Sequence, residues 1–315
     1  MSNKKPKIAV SVGDLNGIGI EVILKSHEEI KSMCEPVYCI NKNLLEQASN
    51  LLQLEIPEDF KLIEVAGDFK IRPQQVTSSS GKYSYDSFVE AVNLAKNKTV
   101  DGIVTMPINK ESWSLAGIDF KGHTDALRNL FDEDVIMLMG NEKLFVALFT
   151  EHIPLGQVTS KMSFYNLLKF FLNLHKSMPN EEKFGVLGVN PHAGDNGVLG
   201  NEERVIQSAI NEANDILKKE FFVGPLVPDV AFTPKALKNI NRIIAIYHDQ
   251  GLAPLKALYF DESVNISLNL PIVRVSVDHG TAFDIAYQNK AEKTSYLEAV
   301  KIASNYKFEI NINKN

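Results

Sequence analysis

Short runs of β-branched and aliphatic residues alternate along the chain with longer stretches whose apolar residues recur every three to four positions. Residues 7–12 (KIAVSV) read as a strand that opens into a glycine-bearing turn, Gly13 to Gly19. The stretch after it sets Ile20, Ile23, Leu24 and Ile30 at spacings suited to one helical face. Further strands are predicted at 37–40, 62–65, 102–105, 135–139, 144–150, 184–189, 243–247 and 272–277. Helices are predicted at 85–97, 163–177 and 201–219, the last carrying Val205, Ile206, Ala209, Ile210, Ala213, Ile216 and Leu217 at helical spacing. Residues 78–81 (SSSG) and 178–183 read as loops, and Asn311, Asn313, Lys314 and Asn315 as a fraying polar tail. This alternation, without internal repeats, predicts an α/β architecture with a largely parallel sheet.

Composition refines this picture. The 315 residues suggest two domains at about 150 residues each. With 44% hydrophobic and 23% charged residues, the chain can bury an ordinary core. Lys and Arg number 33 against 39 Asp and Glu, a formal charge of −6. Such a chain lacks the basic field that nucleic acid or an anionic membrane would require. No apolar run approaches the ~18–20 residues that span a bilayer, and the apolar run after the basic start is too short for a secretory signal. Cys34 and Cys39 read as free thiols, which suits a cytoplasmic protein.

Three groups of residues point to chemistry. Gly13-Asp14-Leu15-Asn16-Gly17-Ile18-Gly19 lies between strand and helix. Backbone N–H groups there could receive an anion, or the loop could be only a tight turn; its spacing matches neither dinucleotide nor P-loop patterns. Of seven histidines, His27 and His175 sit among charged residues in helical patterns and read as solvent-facing. His152, His192 and His248 each follow a predicted strand, where parallel sheets place their ligand sites. Together they would suit a divalent transition metal with an open position; separately, each would be a hydrogen-bonded loop residue. The third group is cationic and polar: Lys121, His123, Thr124, Lys256 and Arg274 offer donors for phosphate and carboxylate. Arg274, flanked by Ile272, Val273, Val275 and Val277, demands a specific partner. No serine-hydrolase elbow, nucleophilic cysteine motif, zinc-finger or EF-hand spacing is present.

The stretches GDLNGIG (13–19), DGIVTMPINK (101–110), GHTDAL (122–127), TEHIPLGQV (150–158), NPHAGDNGVLGNEE (190–203), YHDQGLAPLK (247–256) and NISLNLPIVRVSVDHGTAFDIA (265–286) resemble the 4-hydroxythreonine-4-phosphate dehydrogenase family (PdxA) of pyridoxal phosphate biosynthesis. The resemblance implies two α/β/α domains flanking a cleft, as in isocitrate and isopropylmalate dehydrogenases. It splits the chain into 1–125 with 269–315 as one domain and 126–268, bearing metal ligands and dimer interface, as the other. It also implies a homodimer whose active site is completed across the interface. The family's metal histidines fall on His152, His192 and His248, one of them supplied by a partner subunit. Its substrate contacts fall on His123, Thr124, Lys256, Asn265 and Arg274. The implied reaction is oxidation of the C3 hydroxyl of 4-phosphooxy-L-threonine by NAD or NADP, then decarboxylation to 3-amino-2-oxopropyl phosphate. The metal could be zinc, cobalt, manganese or magnesium. Lys256 and Asp249 are the candidates for general base, and Asp284 for cofactor contact. Departures from the family pattern are Leu15 and Ile20 for prolines, Asp125 for glutamate, and Tyr287-Gln288-Asn289-Lys290 for a glycine-bearing turn. Two rival readings are a dehydrogenase of D-threonate or D-erythronate 4-phosphate and a non-catalytic phospho-ligand-binding paralogue.

Overall fold

A computed structural model describes residues 4–181 and 183–305; the polar tail at 311–315 lies outside them. Eleven strands run in chain order: β1 (Lys7–Ser11), β2 (Glu35–Cys39), β3 (Leu62–Ile63), β4 (Gly102–Thr105), β5 (Ile136–Asn141), β6 (Leu144–Leu148), β7 (Phe184–Leu187), β8 (Phe222–Leu226), β9 (Arg242–Ala245), β10 (Val264–Leu268) and β11 (Arg274–Val277). The chain divides into two compact units, 1–133 with 264–315, and 134–263. These bounds differ from the 125/126 and 268/269 expected from sequence. The helix His123–Phe131 and strand β10 both go whole to the first unit, because neither is cut by the division.

In the first unit the strands lie in the order β3-β2-β1-β4-β11-β10. Neighbours are parallel except β10, which runs antiparallel to β11. In the second unit the order is β5-β6-β9-β7-β8, again parallel but for β5 against β6. Most residues of β1, β4, β6 and β7 are buried on both faces, as parallel strands covered by helices must be. The second unit's core gathers Leu144, Val146 and Leu148 of β6, Ile243 and Ala245 of β9, and Leu252 and Leu255 of the following helix.

Every strand and helix expected from the periodicity is present, with ends within about two residues except for the helix expected at 85–97, which begins earlier, at Ser78. Two strands were not anticipated: β8, whose Gly224-Pro225 weakens its signal, and β10, whose apolar–polar alternation (VNISL) is itself the pattern of a half-buried strand. The run SSSG is not a loop. It forms the first turn of the helix Ser78–Lys96, whose N-cap Thr77 accepts from the Ser80 N–H. His27 is not solvent-facing: at 2% exposure it joins the Tyr38 hydroxyl at 2.8 Å and the Asp59 carboxylate at 3.0 Å. His175 is half-buried, with its ring set edge-on to Phe221. Cys34 and Cys39 are free and buried.

The glycine loop is a tight turn rather than an open anion cradle. Gly13 holds φ +69°, and a Cβ there would lie 2.3 Å from the Pro107 carbonyl. Asp14 and Asn16 are fully buried inside the loop, where Asp14 accepts from the Asn16 N–H and Asn16 receives the Arg72 N–H. The Ile18 N–H, at the mouth of the helix Gly19–Ile30, donates to the Thr281 carbonyl. The N–H groups of Asp14, Asn16, Gly17 and Ile18 are thus spent on the protein, and burial raises the pKa of the Asp14 carboxyl.

Candidate active site

Strands β6, β9 and β7 are consecutive and parallel, so their carboxyl ends share one edge of the second unit's sheet. Beyond those ends stand His152, His248 and His192. Two ties hold the edge together. The Thr150 hydroxyl donates to the Ile246 carbonyl at 2.7 Å. Gln250 accepts from the Ile246 N–H at 2.7 Å and donates to the Gly188 carbonyl at 2.6 Å, linking the end of β9 to that of β7. The rings of His152 and His248 lie 5.3 Å apart, centroid to centroid. His248 opens the helix His248–Tyr259, and the Asp249 carboxylate takes its Nδ1 at 3.0 Å. With Nδ1 so engaged, Nε2 is the ring nitrogen left to meet another partner. His192 is exposed, in a left-handed run that continues to Asn196.

The three histidines are not drawn into one closed ligand set. Among the described residues, the group of donors mutually within 4.8 Å is His27, Glu28 and Asp59. Lys31 already bonds both of those carboxylates, at 3.0 and 2.8 Å, so that cluster is an ion-pair network. Lys256, two turns beyond His248, lies over the Phe260 ring at 5.6 Å.

In the first unit, register brings polar residues to one sheet face. Asn265 pairs with Ser276, Ser267 with Arg274, and Ser276 with Thr105 on the other side. Arg274 is 2% exposed; its guanidinium donates to Ser267 Oγ at 2.9 Å and Thr105 Oγ1 at 2.8 Å. Burial pulls its pKa down to about 9, which still leaves it charged at neutral pH. Its partners are hydroxyls, and no carboxylate among the described residues balances it. His123, first residue of its helix, packs its ring on Phe88 and Trp113. Burial, and then the Arg274 charge, holds His123 well below the usual histidine range, so it is neutral. His123 Nε2, Asn265 Oδ1 and Arg274 Nε are buried without hydrogen-bond partners. A buried cation beside an unmet imidazole nitrogen and an unmet amide oxygen suits the chemistry of an anionic ligand that also carries a hydrogen-bond donor. Thr124 follows His123 at the same helix start. Asp284 is exposed on the turn Phe283–Ile285, and buried His279 Nε2 nearby in sequence is also unmet. Sequence reasoning missed Thr105 and Ser267; their signal was a polar residue at alternate positions of otherwise apolar strands.

Comparison with known proteins agrees with this architecture. The family model for the pyridoxal phosphate biosynthetic protein PdxA matches residues 32–303. A 4-hydroxythreonine-4-phosphate dehydrogenase from Sulfurimonas denitrificans is 58% identical, covering 95% of this chain and 97% of its own. The crystal structure of a 4-hydroxythreonine-4-phosphate dehydrogenase from Klebsiella pneumoniae superposes with a TM-score of 0.82 at 33% identity, covering 95% of this chain and 98% of that one. A beta-decarboxylating dehydrogenase from Thermococcus kodakarensis, 12% identical with a TM-score of 0.51 over 95% of this chain and 81% of that one, shares the fold alone. The chain belongs to the PdxA family of pyridoxal phosphate biosynthetic proteins, a family of oxidoreductases.

Proposed function

We propose that this protein oxidises 4-phosphooxy-L-threonine at its C3 hydroxyl with a nicotinamide cofactor, the β-keto acid then losing carbon dioxide to give 3-amino-2-oxopropyl phosphate. The observation that carries the reading is the buried, acid-free Arg274 with the unmet atoms of His123 and Asn265 beside it in the fold. An anionic phosphate or carboxylate supplies the charge that this guanidinium lacks. The first N–H groups of the helix His123–Phe131 add donors at Thr124. Neutral His123 can give a hydrogen bond without adding a charge that would compete with Arg274.

The histidine edge fits a divalent metal by its chemistry: neutral imidazoles, one already oriented by Asp249. His152, His192 and His248 would hold it, and it would supply Lewis-acid polarisation of the substrate oxygen. The spread of His192 from the other two accords with a ligand set completed by a partner subunit. The large apolar residues Leu155, Tyr165 and Val198, left exposed on the same unit, accord with a second copy covering them. Asp249 is engaged with His248, so of the two candidates for proton transfer Lys256 is the one we favour. Asp284 and His279 offer the acceptor and the donor suited to a nucleotide's hydroxyls.

The decisive assay follows NAD and NADP reduction by the metal-loaded protein with 4-phosphooxy-L-threonine and with D-threonate 4-phosphate, each with and without chelator. Turnover of the first alone, lost on chelation, is expected. Preference for the second moves the enzyme to sugar-acid oxidation, and reduction with neither overturns the catalytic reading.

A further inference from the structure

Between β7 and the helix Glu203–Leu217 the chain takes an improbable course. His192, Ala193, Gly194, Asp195 and Asn196 all have left-handed backbone, with φ of 53°, 51°, 79°, 41° and 57°. Four of these are not glycine, and a side chain makes that conformation unfavourable. Asparagine, aspartate and histidine tolerate it best; Ala193 has no side chain to help. A run of this kind persists only where its surroundings over-determine it.

The surroundings converge on one side chain. Glu203, buried at the start of its helix, accepts the Val189 N–H at 2.9 Å and the Asn190 N–H at 2.7 Å through Oε1. Its Oε2 accepts from Asn190 Nδ2 at 2.9 Å. The far limb of the turn folds directly over the same carboxylate: a Cβ on Gly194 would lie 2.6 Å from Glu203 Oε2. Glu203 therefore hydrogen-bonds the chain before His192 and is closely packed against by the chain two residues after it. Burial opposes its charge, but the hydrogen bonds from Asn190 and Val189 outweigh burial and hold its carboxyl below the ordinary range. The helix N-terminus favours the negative charge as well.

We propose that Glu203 is a positioning residue for metal binding: it clamps the left-handed turn that presents His192. The proposal rests on the three-histidine reading above. It requires acceptors on both carboxylate oxygens, which an amide cannot supply. In Glu203→Gln the amide nitrogen meets Asn190 Nδ2, donor against donor, and Asn190 can turn its own amide to accept only by giving up its 2.7 Å hydrogen bond to Glu202, so the clamp opens on one side. Glu203→Asp keeps both acceptors but is one methylene short.

Cobalt(II) titration of the metal-free protein tests this, by calorimetry and by the visible ligand-field bands, with His192→Ala as reference. Cobalt affinity should fall in the order wild type, E203D, E203Q, by about 10- to 100-fold overall, with altered bands at saturation. Circular dichroism and the melting temperature of the metal-free variants report folding separately; a role in stability alone would lower melting without changing the bands. If H192A weakens cobalt binding while E203Q and E203D match wild type, the clamp is wrong and the histidine reading stands. Should H192A bind as wild type does, the histidine reading falls, and the role of Glu203 with it. If E203Q does not fold, E203D decides: unchanged affinity and bands overturn the proposal.

Discussion

Arg274 is the residue whose physics most constrains the function. A buried guanidinium facing hydroxyls alone gives up hydration without full repayment, a cost that the proposed anion would offset. Replacing it by Met should therefore lower kcat/KM for the phosphorylated substrate by at least about 100-fold, the scale of a buried charged hydrogen bond. Inorganic phosphate should raise the melting temperature of the wild type, and R274M should abolish that rise. An R274M variant still stabilised by phosphate would show that the anion sits elsewhere. Asp249 makes a second residue-level case. Asn in its place cannot accept and charge-stabilise the His248 ring equally well, so metal affinity should drop about 10- to 100-fold, read by zinc competition against a chromophoric chelator. Arg274 announced itself in sequence as a cation among Ile272, Val273, Val275 and Val277. Its actual partners did not, because Thr105 and Ser267 reach it only through pairing of β11 with β4 and β10, a long-range register that local pattern does not encode.

At the scale of elements, the parallel order β6-β9-β7 converts sequence positions far apart into one edge, and this part was legible early. Each of the three histidines follows an apolar run whose end could be read without knowing its neighbours. What local pattern misjudged were elements whose cue is polar. The run Ser78 to Ser80 looks like a loop until Thr77 is recognised as its cap, with nine buried residues on the helix it starts. Likewise His27, among charged neighbours, faces inward because Tyr38 and Asp59 satisfy both ring nitrogens. Removing the cap in Thr77→Ala should cost about 1 kcal/mol of unfolding free energy, measured by urea denaturation. Thr77 also accepts from Asn16 Nδ2 at 3.1 Å, so a loss larger than that of an isolated cap would locate the excess in the glycine loop.

For the molecule as a whole, three histidines with depressed pKa values shape how stability responds to mild acid. His123, His175 and His279 all have depressed pKa values, in each case first because burial penalises the charged ring. An unfolded chain protonates these rings near pH 6.5, while the folded chain resists until lower pH. Between those limits the unfolded state binds more protons, so stability must fall as pH drops from about 7 towards 5. Each extra proton contributes about 1.4 kcal/mol per pH unit at most, and the more exposed His175 contributes least. Carboxylates act in a different window. Asp59, held at about 2 by Lys31 and then His27, keeps its contribution until the pH falls below the ordinary aspartate range. The two effects therefore separate on the pH axis. Urea midpoints at constant m-value should decline from pH 7 to 5, then decline further below pH 4. His123→Gln keeps a polar, uncharged side chain and removes one titrating ring, so it should flatten the first limb by close to one proton and leave the second unchanged. If the variant's midpoint falls between pH 7 and 5 as steeply as the wild type's, His123 is not held neutral, and the electrostatic fit of that pocket to a lone Arg274 and an anion must be abandoned.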